Sequence, residues 1–143
     1  MKTASLPRIS VFNRQRKVKL DRPALEEFAR RALVACARAR GTGLTRLPQV
    51  DVVLISDRRM SELHRRFMQI DGPTDVITFQ HGEIFISVET AARQATAHRT
   101  SVLYELRLYL VHGLLHLHGF DDREESDRAA MAALQKRIVA SLR

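Results

Sequence analysis

Residues 75–88 read DVITFQHGEIFISV. Two short strand-like runs, 75–80 and 83–88, flank His81-Gly82. A connection that tight predicts an antiparallel hairpin. Working outward, residues 49–56, QVDVVLIS, and 9–13, ISVFN, supply two further strands. The other segments carry a helical period. Asp21 caps a helix that tolerates Pro23 in its first turn and lines up Leu25, Phe28, Ala29, Ala32, Leu33 and Cys36 before Gly41-Thr42-Gly43 ends it. Ser56 or Asp57 caps a second helix over 58–68, with Met60, Leu63 and Phe67 expected on its apolar face. A third covers 89–98. The most apolar helix covers 101–118, with Leu103, Leu106, Leu110, Leu114 and Leu117 along one stripe until Gly119 stops it. The last runs from about Arg123 to Leu142 and is amphipathic through Met131, Leu134, Ile138 and Leu142. Four strands and about five helices predict an α+β fold, a small mixed four-stranded sheet packed by helices in one domain over 1–143.

Composition bounds the function. The chain has 143 residues, 45% of them apolar and 28% charged, and a net charge of +8. That balance points to a polyanionic partner, nucleic acid before an anionic membrane. The run Arg14 to Lys19 reads as a solvated basic turn. Cys36 is the one cysteine, so no intramolecular disulfide forms, which fits a reducing compartment. Its apolar helical surroundings make it a core residue rather than a thiol nucleophile. The opening MKTASLPRISVFNRQRK has no long apolar core and is not expected to be a signal peptide. No run approaches the ~18 apolar residues of a membrane span. The expected location is the cytoplasm, with no membrane partner.

Residues 112–122, HGLLHLHGFDD, carry the chemistry. His112 and His116, four apart on a helix, share a face and can share a metal. Gly119 can reverse the backbone, and Asp122 then swings back as a third ligand, leaving a fourth position for water. His118 lies about 200° round the helix from His116 and suits a surface or outer position. Asp121 faces differently from Asp122 and suits a role holding a ligand imidazole. His118 and Asp121 are also the nearest candidates for a general base. Gly113 stands where H-E-x-x-H metalloproteases carry their glutamate base, which counts against peptidase chemistry.

The stretch resembles the signature H-G-x-L-H-L-x-G-Y-D-H of the YbeY endoribonuclease family. Leu63 to Phe79, LHRRFMQIDGPTDVITF, resembles that family's L-N-x-x-Y-R-x-x-D-x-P-T-D-V-L-S-F. Gly82 to Ser87, GEIFIS, resembles its G-D-I-x-I-S strand. The blocks agree in order and spacing, and the likeness runs from about residue 9 to the end. The resemblance implies a zinc-dependent, single-strand-specific endoribonuclease of late small-subunit rRNA 3′-end maturation and ribosome quality control. RNA and the ribosome are the implied partners. One Zn2+ is the implied cofactor, with His112 and His116 matching the first two metal histidines. Two positions depart from the pattern. The family's third histidine falls on Asp122, which lowers the charge of the site and makes a bound water less acidic. The family's arginine after the aromatic falls on Met68, which cannot hold a phosphate by bidentate hydrogen bonds. Arg65 or Arg66 is then the expected phosphate contact, with Thr74 and Asp75 either closing the loop or lining the cleft. The alternatives are an RNA- or ribosome-binding assembly factor that keeps its metal, and a peptidase-like metallohydrolase.

Overall fold

A computed structural model describes residues 5–142; residues 1–4 and 143, which the expected domain and the reading of the N-terminus include, lie outside it. Four strands, β1 (Arg8–Asn13), β2 (Gln49–Ile55), β3 (Val76–Phe79) and β4 (Glu83–Ser87), form one sheet in the order β1-β2-β4-β3. β1, β2 and β4 are mutually parallel, and β3 runs antiparallel to β4 as the open edge. Five α-helices accompany them: α1 (Arg22–Ala37), α2 (Asp57–Met68), α3 (Val88–His98), α4 (Val102–Leu117) and α5 (Glu125–Ser141). The expected mixed sheet with about five helices is the observed architecture. The hairpin closes as expected, with Gly82 at φ 119° donating its N–H to Phe79 O at 2.9 Å.

Side chains alternate between the two faces of the sheet. Ile9, Val11, Val50, Val52, Leu54, Ile84 and Ile86 point to one face and form the main core with α1, α4 and α5. Cys36 is buried there, and desolvation pushes its thiol up to about 12, which keeps it protonated. Ile55 and Ile77, with Phe79 and Phe85 half-buried beside them, point to the other face and meet Met60 and Leu63 of α2. Val76 and Thr78 therefore face α4, the helix that carries the histidines.

Local signals explain the helix starts. Asp21 accepts from Ala24 N–H at 3.0 Å, and Ser56, not Asp57, caps α2 by accepting from Arg59 N–H at 3.2 Å. Asp57, the first residue of α2, instead ties two helices together. Its carboxylate accepts from Ser87 and Thr90, each at 2.7 Å, and pairs with Arg93.

Two expectations about apolar stripes are corrected. Leu103 lies in the first turn of α4, before the helix has reached the sheet, and is 44% exposed. The stripe begins at Leu106. Phe67 is 51% exposed because α2 overhangs the four-residue edge strand β3 at its last turn. Its ring leans edge-on against Phe79, with centroids 5.1 Å apart.

Candidate metal centre

α4 is the scaffold of the site. It crosses the sheet so closely that a Cβ on Gly113 would sit 2.7 Å from Ile84 Cγ2 and 2.9 Å from Cδ1. Position 113 faces Ile84 of the sheet, whereas His112 and His116 face the cleft beside edge strand β3, so a glutamate at 113 has no space. At its C-terminal end α4 is held by the segment after α1. A Cβ on Gly43 would fall 1.9 Å from Leu117 O, so only glycine permits this approach.

His118 makes the same junction and is not an outer residue of the metal site. It is buried, accepts Leu44 N–H at Nδ1 (3.2 Å) and donates Nε2–H to Ala39 O (3.0 Å). Both ring nitrogens are committed on the far side of α4, which also removes it as a general base. Asp121 is corrected too. It is exposed, and its carboxylate accepts from Arg123 N–H at 3.1 Å and from Arg123 Nε at 2.9 Å rather than from a histidine.

The chain turns at Gly119, φ 110°, and Phe120 N–H closes the turn on Leu115 O at 2.9 Å. The turn brings Asp122 back over α4. His112 Nε2 and His116 Nε2 lie 3.0 Å apart, and Asp122 Oδ2 lies 3.3 Å from His116 Nε2 and 3.7 Å from His112 Nε2. His116 donates Nδ1–H to Phe120 O at 3.0 Å, and His112 donates Nδ1–H to Gln135 Oε1 of α5 at 2.6 Å. Each ring therefore presents the Nε2 lone pair inward. Burial lowers the His112 pKa, more than Gln135 and the neighbouring carboxylates raise it, so its neutral, ligating form is favoured.

Two lone pairs and a carboxylate oxygen thus converge with no proton between them. Such a set is repulsive unless a cation sits among it. A tetrahedral zinc with ligands at about 2.0–2.1 Å has ligand–ligand edges of about 3.3 Å, which the three observed separations bracket. The residues fit a divalent metal, and His112, His116 and Asp122 could hold one.

The triad opens on a cleft of about 370 Å³ lined by Met68, Thr74, Asp75, Val76, Thr78 and Gln80. Asp75 belongs to the cleft as well as to the loop. Its Oδ1 accepts Val76 N–H at 2.8 Å, and its other oxygen has no partner among the described residues. Arg65 and Arg66 do not line this cleft. Arg65 lies 3.5 Å from Asp71, and Arg66 lies over the ring of Phe67. Sequence reasoning missed Gln135. Its signal was a polar residue set between Met131 and Ile138 at helical spacing.

The description Endoribonuclease YbeY belongs to a family model that matches residues 10–143. The chain belongs to the endoribonuclease YbeY family. Relatives named for that family include one from Gluconobacter oxydans, 36% identical over 126 residues that make up 84% of this chain and 75% of the relative. Another, from Thermus thermophilus, is 37% identical over 78% of this chain and 86% of its own length. A solution structure of a Thermotoga maritima protein aligns with a TM-score of 0.67 and 25% identity, covering 94% of this chain and 88% of that one. The YbeY family thus supplies a nuclease identity for a site whose geometry, by itself, shows only a group that could hold a metal ion. Among the described residues no helix is long and apolar enough to cross a membrane.

Proposed function

We propose that this chain is a zinc-dependent endoribonuclease that cuts single-stranded RNA, acting on the 3′ end of small-subunit rRNA and in ribosome quality control. The observation that carries the proposal is the convergence of His112 Nε2, His116 Nε2 and Asp122 Oδ2 on one point at the floor of an open cleft. Zinc bound there would supply Lewis acidity for a phosphoryl oxygen and a water of lowered pKa.

The chain's own residues do the rest. Gln135 and the Phe120 carbonyl hold both imidazoles in one tautomer and orientation. Asp75 is a cleft carboxylate with an oxygen free of partners among the described residues, which supports it as the group that takes a proton from the attacking nucleophile. Met68 lines the cleft where the family pattern has arginine, so phosphate contacts are assigned to the basic side chains just before it on α2, Arg65 and Arg66, which lie outside the cleft lining. The net charge of +8 favours association with a polyanion such as the ribosome. The space filled by Ile84 against Gly113 counts against a peptidase-type base.

The test is cleavage of single-stranded and duplex RNA by purified protein, with and without chelator, alongside His116→Ala. Single-strand cleavage that vanishes with chelator and in the variant supports the proposal. Cleavage that persists in His116→Ala comes from a contaminating nuclease and overturns it. RNA binding without any cleavage leaves the assembly-factor alternative in its place.

A further inference from the structure

Seven large apolar side chains stand exposed among the described residues, and three of them cluster at one place. Phe67 (51%), Met68 (43%) and Ile70 (49%) occupy the last turn of α2 and the residue just past its left-handed cap at Gln69. Scattered exposed apolar residues are ordinary, but a contiguous group beside a cleft is a contact surface. Met68 joins this group to the metal site, because it lines the same cleft as His112, His116 and Asp122, while Phe67 stands beside it outside the cleft lining, against Phe79.

The surface is also rigid and basic. Phe67 is braced edge-on by Phe79, whose ring stacks near His81 and meets Phe85 edge-on. The Arg66 guanidinium lies 5.5 Å from the Phe67 centroid, and Arg65 is the neighbouring exposed cation. Asp71 is the carboxylate at this rim, and it is already paired with Arg65. A half-exposed ring held in place, flanked by guanidinium groups and adjacent in sequence to the cleft-lining Met68, suits a chain that alternates flat apolar groups with anions. Single-stranded nucleic acid has that chemistry, since its unpaired bases stack on aromatic side chains while basic groups follow the phosphates. A duplex hides its base faces and could not use the shelf.

We infer that Phe67, extended by Met68 and Ile70, is a stacking platform for an unpaired base of the RNA next to the phosphate in the metal cleft. The inference rests on the nuclease reading above and adds the means by which single strands are selected. Phe67 acts here as a positioning residue; it touches a base, not the reacting atoms. Met68 takes part in the same way, offering apolar contact where the family pattern offers a cation.

Binding to metal-free protein in chelator separates this inference from catalysis. The probes are a fluorescein-labelled oligoadenylate and an abasic ribose-phosphate oligomer of equal length and charge. Phe67→Ala is expected to weaken oligoadenylate binding about 5- to 150-fold, the range for one stacked base, and to leave the abasic oligomer unchanged. Phe67→Trp introduces a tryptophan into a chain that has none. It is expected to restore affinity and to lose fluorescence on binding oligoadenylate but not the abasic oligomer. If Phe67→Ala binds both probes like the parent, or weakens both equally, the platform is refuted while the nuclease reading stands. If the metal-free parent binds neither probe, the platform is refuted, and the nuclease reading is judged by the cleavage assay above. Should Phe67→Ala unfold, the tryptophan variant alone decides: no selective quenching refutes the platform.

Discussion

Gly113→Ala perturbs the close packing of α4 on the sheet. The added methyl would meet Ile84 Cγ2, Cδ1 and Cγ1 at 2.7, 2.9 and 3.1 Å, and Ile84 is fully buried. Carbon pairs settle near 3.5–4.0 Å, so α4 and β4 must separate by roughly 0.8 Å or Ile84 must leave its rotamer. Overpacking of this kind costs about 1–3 kcal/mol, against about 1 kcal/mol recovered from alanine's better helix propensity. A net loss of up to about 2 kcal/mol is expected, lowering Tm by as much as roughly 7 °C for a domain of this size. Urea unfolding followed by circular dichroism measures it. Ile84→Ala alone is expected to cost about 2–5 kcal/mol. In the double variant the new methyl enters the vacated space, so the pair should cost less than the separate losses by at least about 1 kcal/mol. Zinc affinity should fall in Gly113→Ala and recover in the double variant, because α4 carries both ligand histidines. A Gly113→Ala protein as stable as its parent, with additive losses in the double variant, would refute the packing argument. The exclusion of a glutamate base at 113 would go with it.

Gln135→Leu is expected to weaken zinc binding about 10- to 100-fold in competition with a chromophoric chelator, since His112 loses the acceptor that orients it; unchanged affinity would remove Gln135 from the site. His118→Leu strands Leu44 N–H and Ala39 O in the interior, at a cost of about 2–5 kcal/mol, while zinc content and RNA cleavage per folded molecule stay unchanged. A loss of cleavage beyond the unfolded fraction would restore it as a catalytic group. Burial raises the Asp57 pKa, but hydrogen bonds from Arg93, Ser87 and Thr90 outweigh it and hold the carboxyl below 3.8. The stability it contributes is therefore present above pH 3.8 and lost as pH falls through the lower folded value. Urea midpoints across that window should fall less steeply in Asp57→Asn than in the parent. Asp75→Asn should lower kcat about 10²- to 10⁴-fold with little change in zinc content; an undiminished kcat would exclude it as the proton acceptor.

What the sequence revealed and what it hid follow from the range of each interaction. The hairpin at His81-Gly82, the caps at Asp21 and Ser56 and the turn at Gly119 are local, and each stood in a few adjacent residues. The convergence of His112, His116 and Asp122 was legible for the same reason, because 3.6-residue periodicity and one glycine turn suffice to bring them together. His118 was misplaced because its partners, Ala39 and Leu44, come from the far end of the chain. Asp121 was misassigned because Arg123, two residues on, offers a closer donor than any imidazole. Phe67 continues the period of Met60 and Leu63, and nothing in that period records where the sheet beneath it ends. Gln135 sits on a separate helix, where only the docking angle of α5 on α4 brings it to His112.

The bond from His112 to Gln135 makes the two imidazoles unequal. The Phe120 carbonyl that orients His116 comes from the turn that ends its own helix. The acceptor for His112 comes from a different helix, α5. Loosening α5 from α4 would therefore free one imidazole and leave the other held. The tightness of one helix–helix contact sets how well formed this group of side chains is.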